Sequence, residues 1–328
     1  MNDQTEMMMD NIRQFAQANI NDIALKIERE GVSEDLYNSL IQQGLIGANL
    51  PAEMGGAGLD RTSYDAILFQ LARASPSVAF HVFMNNSIIL KILEKASKKD
   101  MIGQIVSGKI RLGLIPGNII EGSSEKSNII IEPSKMNIYI GKENASLVDG
   151  MPELLKSKSL GLRGLKTDLF TSIKDGEKLL PYGDVEKIWN EASWDAAAIF
   201  LGISEGALEK AIEYTKVRKT FNFPLKDYEP VAFRLSELKS ELEILKNTLF
   251  SDDSKEQMGM MLKTISAEFA RRATKYALQF HGGYGYLEDF GVEKFYRDAV
   301  ALNALMFRPI LDKRALAASI YGEKSGYL

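Results

Sequence analysis

Four glycines stand between two helical patterns in Gln279–Asp298, which reads Gln-Phe-His-Gly-Gly-Tyr-Gly-Tyr-Leu-Glu-Asp-Phe-Gly-Val-Glu-Lys-Phe-Tyr-Arg-Asp. One helical pattern runs into this stretch from Lys255, and another begins after Gly291. Glycine is needed where a backbone must turn sharply or let a ligand come close. Gly282, Gly283 and Gly285 follow directly on the last helical turn, so they suit a ligand contact made by backbone. They also suit a plain helix C-cap, because glycine is the usual residue just past a helix end. Spacing alone leaves both open.

Composition removes several other chemistries. The chain has no cysteine, which excludes disulfides, thiolate metal sites and cysteine nucleophiles together. Only His81 and His281 are present, too few for a histidine-rich metal site. Forty basic residues against 44 acidic give a net charge of −4, which argues against nucleic acid or an anionic membrane as the main partner. The basic cluster at Lys95, Lys98 and Lys99 is offset by Glu94 and Asp100 and reads as a solvated helix end. The N-terminus is polar, and the longest apolar runs are too short to span a bilayer. A soluble, cytoplasmic protein is expected.

The elements that must hold such a site follow from periodicity. Residues 8–30 place Ile12, Phe15, Ala16, Ile20, Ile23, Ala24 and Ile27 on one helical face that Gly31 ends. Ser33 is a good N-cap for a helix with Leu36, Tyr37 and Leu40, and Asp60 or Thr62 opens the next. From residue 109 the character changes. Ile129–Ile131 and Ile138–Ile140 are short β-favouring runs bounded by Gly, Pro and Asn. After Asp184 the helical pattern returns, with one helix through Ile199 and Leu208 to Arg218, one through Phe233, Leu235 and Leu242, and one through Leu262 and Phe269. The expected fold is α+β and mostly α: N-terminal helices over 1–108, a small β-domain over 109–183 and an antiparallel helical bundle over 184–328.

The order of residues is more specific than their periodicity. Gln279-x-x-Gly282-Gly283-x-Gly285-Tyr286, then Val292-Glu293-x-x-Tyr296-Arg297-Asp298-Ala299, resembles the C-terminal signature of the acyl-CoA dehydrogenases. Gly44–Leu59 is similar to the family's loop between early helices. Arg218-Lys219-Thr220-Phe221, followed by Pro224-Leu225, resembles its Arg-x-x-Phe-Gly-x-Pro motif. Leu160–Asp168 resembles a segment late in its central domain, where Arg163 is either a turn residue or a functional one. The resemblance implies an FAD-dependent oxidoreductase acting on the CH–CH bond of an acyl-CoA thioester, within an oligomer.

In that family a glutamate removes the substrate's α-proton, and its two usual positions fall here on Met306 and Ala192. Neither side chain can carry a proton. Glu191 stands one residue before the second position, and one helical step turns a side chain by about 100°. It is a displaced base or a solvated glutamate. The central segments that pack a flavin within its own subunit are also reduced, with Gly113–Ser123 in place of the first and no counterpart of the second.

The cofactor-binding residues implied by the resemblance are Arg218, Phe221, Gln279, Gly282 and Gly283, which in the family reach a neighbouring subunit's flavin nucleotide. An arginine fork suits a pyrophosphate. Asn222 replaces the glycine after Phe221, and Glu229 replaces a usual glutamine. Three readings remain. One is an acyl-CoA dehydrogenase relative with impaired or altered activity. Another is a non-catalytic subunit that completes the flavin site of an intact paralogue in a hetero-oligomer. The third is an oxygen-using flavoenzyme on the same fold.

Overall fold

The computed structural model describes residues 3–117, 128–253, 255–305 and 309–321. The first helical group comprises α1 (Asp3–Asn19), α2 (Ala24–Glu30), α3 (Glu34–Gln42), α4 (Arg61–Ala74), α5 (Pro76–Phe83), α6 (Leu90–Lys95) and α7 (Lys99–Val106). Ser33 caps α3 by accepting from Leu36 N–H at 3.2 Å, and Asp60 caps α4 by accepting from Ser63 N–H at 2.8 Å. The expected single helix over 8–30 is two helices. Asn19 Nδ2 donates back to the Phe15 carbonyl at 2.9 Å, and Asn21 and Asp22 hold a short 3₁₀ turn before α2. Between α5 and α6 the helix widens into a π segment, Met84–Ile89. There Asn86 bonds both Gly47 N–H and the Leu45 carbonyl, fixing the glycine-rich loop onto the helix.

Seven strands form one mixed sheet: β1 (Leu112–Ile115), β2 (Asn128–Ile131), β3 (Met136–Ile140), β4 (Asn144–Asp149), β5 (Leu154–Leu155), β6 (Thr167–Phe170) and β7 (Glu177–Pro181). Their order is β5-β6-β2-β1-β3-β4-β7, and among the described residues only the β1–β3 pairing is parallel. The isoleucine runs expected to be strands are β2 and β3. Alternate residues of the sheet, Leu114, Ile131, Ile138 and Ile140, enter the main core, while Ile115, Ile130 and Phe170 form a small second core on the other face.

Then come α8 (Tyr182–Glu191), α9 (Ser193–Val217), a hairpin of β8 (Lys219–Thr220) and β9 (Phe223–Pro224), α10 (Glu229–Leu249), α11 (Glu256–His281), α12 (Glu293–Leu305) and α13 (Pro309–Tyr321). Most of α9 is buried, because it packs against both α4 and α11. Gly202 and Gly206 allow that approach: a Cβ on either would lie within 2.4 Å of an α4 carbonyl, Phe69 or Arg73. On α10 the buried face is Leu235, Leu238, Leu242, Leu245 and Leu249. Phe233 was expected on that face but is 61% exposed. It lies two residues from Leu235, about 200° around the helix.

Candidate active site and nucleotide-facing surface

The Tyr296–Ala299 motif is turned inward and serves as a latch. Arg297 donates to the Leu160 carbonyl at 2.9 Å and to Glu293 at 3.0 Å, and it reaches Glu28 at 3.4 Å. Asp298, fully buried, accepts from Leu162 N–H at 2.6 Å and lies 3.5 Å from the buried Lys294 ammonium. Glu28 in turn accepts from Ser77 Oγ, which accepts from Gly164 N–H at 3.2 Å. This network joins α2, α5, α12 and the loop before β6. Buried charges persist only when paired in this way. Burial pushes the Asp298 carboxyl up to about 6, Glu28 adds to the rise, and Lys294 opposes it. The glycines of Gly161-Leu-Arg-Gly164 are packing residues: a Cβ at Gly161 would sit 2.3 Å from the Arg297 carbonyl, and one at Gly164 within 2.9 Å of Ser77. Arg163 itself is exposed and pairs with Glu288 at 3.0 Å.

A second group faces outward at the C-terminal ends of α9 and α11. Tyr214 stacks on His281 with ring centroids 4.3 Å apart, which brings these two ends together. His281 Nδ1 lies 2.8 Å from the Ala277 carbonyl, and burial lowers the imidazole's pKa, so the ring acts as a neutral donor in the packing. Arg218 caps α9, is exposed, and sits 5.6 Å from the Tyr284 ring. It has no ion-pair partner among the described residues. Gly282 caps α11 with φ +57°, a backbone only glycine adopts easily. Gly283 needs neither room nor a left-handed backbone, since a Cβ there meets nothing within 4 Å. Gln279 is exposed one turn before.

The β8–β9 hairpin projects beside this face. Phe221 and Asn222 occupy its two-residue turn with φ +48° and +70°, as a type I′ turn requires. That explains Asn222: asparagine tolerates the left-handed conformation that the family's glycine would adopt. Phe221 is 87% exposed although phenylalanine strains such a turn.

The base positions are placed differently. Ala192 is a buried methyl group between α8 and α9. Glu191 ends α8, is exposed, and lies two residues before α9 begins at Ser193, a solvated glutamate at the junction of two helices. Met306 lies outside the described residues.

Two acid-containing clusters, one half-buried and one buried, had no sequence signal beyond isolated residues. His81 Nδ1 contacts Glu132 Oε2 at 2.6 Å, and His81 Nε2 has no partner among the described residues. Burial would raise the Glu132 carboxyl, but His81, Arg111 and Lys166 hold it below the usual range. On α4 and α9, the buried carboxyls of Asp65 and Asp195 face each other beside Arg61, and burial raises both. Asp65 Oδ1 has no hydrogen-bond partner among the described residues, and the neighbouring Asp195 adds to the rise of the Asp65 carboxyl.

Residues 2–109 match the family model "Acyl-CoA dehydrogenase, N-terminal domain", and residues 187–305 match "Acyl-CoA dehydrogenase, C-terminal domain". The 3-(aryl)acrylate reductase of Clostridium sporogenes is 24% identical over 349 aligned positions, covering 90% of this chain and 93% of that protein. The caffeyl-CoA reductase-Etf complex subunit CarC of Acetobacterium woodii is 25% identical, covering 90% and 92%. Among solved structures, butyryl-CoA dehydrogenase from Megasphaera elsdenii superposes with a TM-score of 0.83 at 18% identity, covering 98% of this chain and 99% of that one. A glutaryl-CoA dehydrogenase from Mycobacterium smegmatis in complex with FADH2 superposes at 0.86 with 13% identity, covering 100% and 97%. With both helical regions matched and the motifs in their expected order, the chain belongs to the acyl-CoA dehydrogenase family.

Proposed function

We propose that the chain is an acyl-CoA oxidoreductase-type flavoprotein that works in an oligomer, its outward face serving the FAD of a neighbouring subunit. The observation that carries this reading is Gly283, a glycine with no steric or backbone reason within its own chain, beside an exposed Arg218 with no ion-pair partner. A backbone kept bare and a free guanidinium fork together suit a pyrophosphate from outside the chain. The exposed apolar groups around them, Val217, Phe221, Phe223 and Tyr286, suit coverage by a second subunit. FAD would supply the acceptor for a hydride from the acyl β-carbon. The chain's own part is to hold the nucleotide through Arg218, Gln279 and the Gly282–Gly283 backbone. A cytoplasmic location belongs to the same reading.

A second reading is favoured by the base positions. Ala192 is a methyl group, and Glu191 points its carboxylate to solvent at a helix end. A general base is worth roughly 10²–10⁴-fold, so a chain lacking one suits the role of a subunit that completes an intact partner's site.

The absorption spectrum of the protein purified alone tests the first reading, and co-expression with an intact paralogue tests the second. A yellow homo-oligomer whose flavin is lost in Arg218→Ala supports the first. A colourless chain that becomes yellow only with the paralogue, in one gel-filtration peak, supports the second. A monomer holding stoichiometric flavin that Arg218→Ala leaves intact overturns both.

A further inference from the structure

A groove of about 490 Å³ lies where the end of α2 meets the loop leading into β6. Four cations line it: Arg29, Lys158, Arg163 and Lys166. Arg163 is engaged by Glu288. Arg29, Lys158 and Lys166 have no ion-pair partner among the described residues. The two acids on the wall are turned to other work. Glu30 lies 3.7 Å from Lys26, and Asp168 accepts the Ser157 backbone N–H at 3.2 Å. The four cations outnumber the two acids of the lining, so the groove is net positive in a chain of net charge −4.

The walls of the groove are fixed. Val32 N–H donates to the Gly164 carbonyl at 3.2 Å, which ties the end of α2 to the loop. Ser157 Oγ donates to the Thr167 carbonyl at 3.1 Å, pinning the lysine-bearing loop onto β6. Gly31, at φ +87°, keeps the floor low, and a Cβ there would lie 3.9 Å from the Lys166 side chain. A backbone held this way presents its cations without paying for loop ordering on binding. Thr167, also in the lining, has a buried hydroxyl with no hydrogen-bond partner among the described residues.

We infer that this groove binds a phosphate-bearing small molecule, a phosphomonoester or pyrophosphate of nucleotide size. Doubly charged oxyanions match several lysine point charges and an arginine fork, whereas a single carboxylate would leave charge uncompensated. The volume holds more than one phosphate. This inference stands apart from the flavin reading, because none of the residues involved belongs to the outward face at Arg218 and Gly283.

Calorimetric titration with inorganic pyrophosphate at low salt tests it, followed by adenosine 3′,5′-bisphosphate as a nucleotide probe. Saturable binding is expected, weakened about tenfold for each lysine removed in Lys158→Ala and Lys166→Ala, with Lys142→Ala, on a remote turn, unchanged. Competition between the two probes would assign the groove to a nucleotide's phosphates; binding of pyrophosphate alone would assign it to a free phosphate ligand. Protection of Lys158 and Lys166 from amine acetylation by pyrophosphate gives the same information without a variant. Absence of saturable binding, or equal loss in Lys142→Ala, overturns the inference.

Discussion

The backbone N–H of Leu162 donates to Asp298 Oδ1 at 2.6 Å, closing a link between residues 136 positions apart. On one side is the loop that leads into β6, and on the other the Arg-Asp pair of the family motif. That pair therefore faces into its own chain. It holds α12 against α2, α5 and the loop, and with them one wall of the groove that contains Arg163 and Lys166.

A pH dependence follows from this link. Asp298 sits near 6 in the folded chain against an ordinary value of 3.8, because burial disfavours its charge. A carboxyl raised on folding binds more protons folded than unfolded between those values. Its contribution is therefore fully present below about pH 4 and is lost as pH rises through 6, by about 3 kcal/mol. Asp298→Asn keeps an acceptor for Leu162 while removing the titration. Denaturant midpoints of the two proteins, measured from pH 4 to 7, should diverge as pH rises, the wild type losing stability relative to the asparagine variant. Parallel curves would show that Asp298 does not titrate in that window.

The buried, facing carboxyls of Asp65 and Asp195 lead to a contrast between two substitutions. Asp195→Asn offers a permanent N–H to Asp65 Oδ1, leaving Asp65 free to pair with Arg61 at 2.8 Å. Both acids are raised in the folded chain, so the wild-type pair loses stability as pH rises, and the asparagine variant should gain on the wild type as pH rises. Asp195→Ala leaves a buried oxygen without a donor and should cost about 1–3 kcal/mol at neutral pH. Thermal melts at pH 6 and pH 9 separate the two. Equal loss in both variants would mean that volume, not the proton, holds the site.

Local signals were legible in the sequence because their physics is local. Ser33 and Asp60 cap the helices they precede, Gly31 ends α2, and the isoleucine triplets are β2 and β3. What sequence could not show depends on pairing across the fold. Asn19 and Asn21 read as tolerable within a helix until Asn19 is seen bonding backward to Phe15. His81 and Glu132 are 51 residues apart, and neither marks the other. Nothing in Glu191-Ala-Ser announces the break at Ala192 that separates α8 from α9. The motif glycines all looked alike in sequence, yet the structure divides them into those that touch their own chain and those that do not.

That division gives the sharpest test. Gly161 and Gly283 both belong to stretches that carry the family resemblance, and neither has a left-handed backbone. A methyl at Gly161 would press on the Arg297 carbonyl at 2.3 Å, a contact backbone cannot yield without moving α12. Gly161→Ala should therefore destabilise the protein by about 1–3 kcal/mol. A methyl at Gly283 meets nothing within 4 Å, so Gly283→Ala should melt within about 0.5 kcal/mol of wild type. If the bare backbone exists to admit a nucleotide from a neighbouring subunit, that same variant should lose flavin or assemble poorly. Melting curves give the first comparison, and flavin retention with gel filtration gives the second. A Gly283→Ala protein with wild-type stability, assembly and flavin content would show that nothing approaches this backbone closely, and the outward face would then need another explanation.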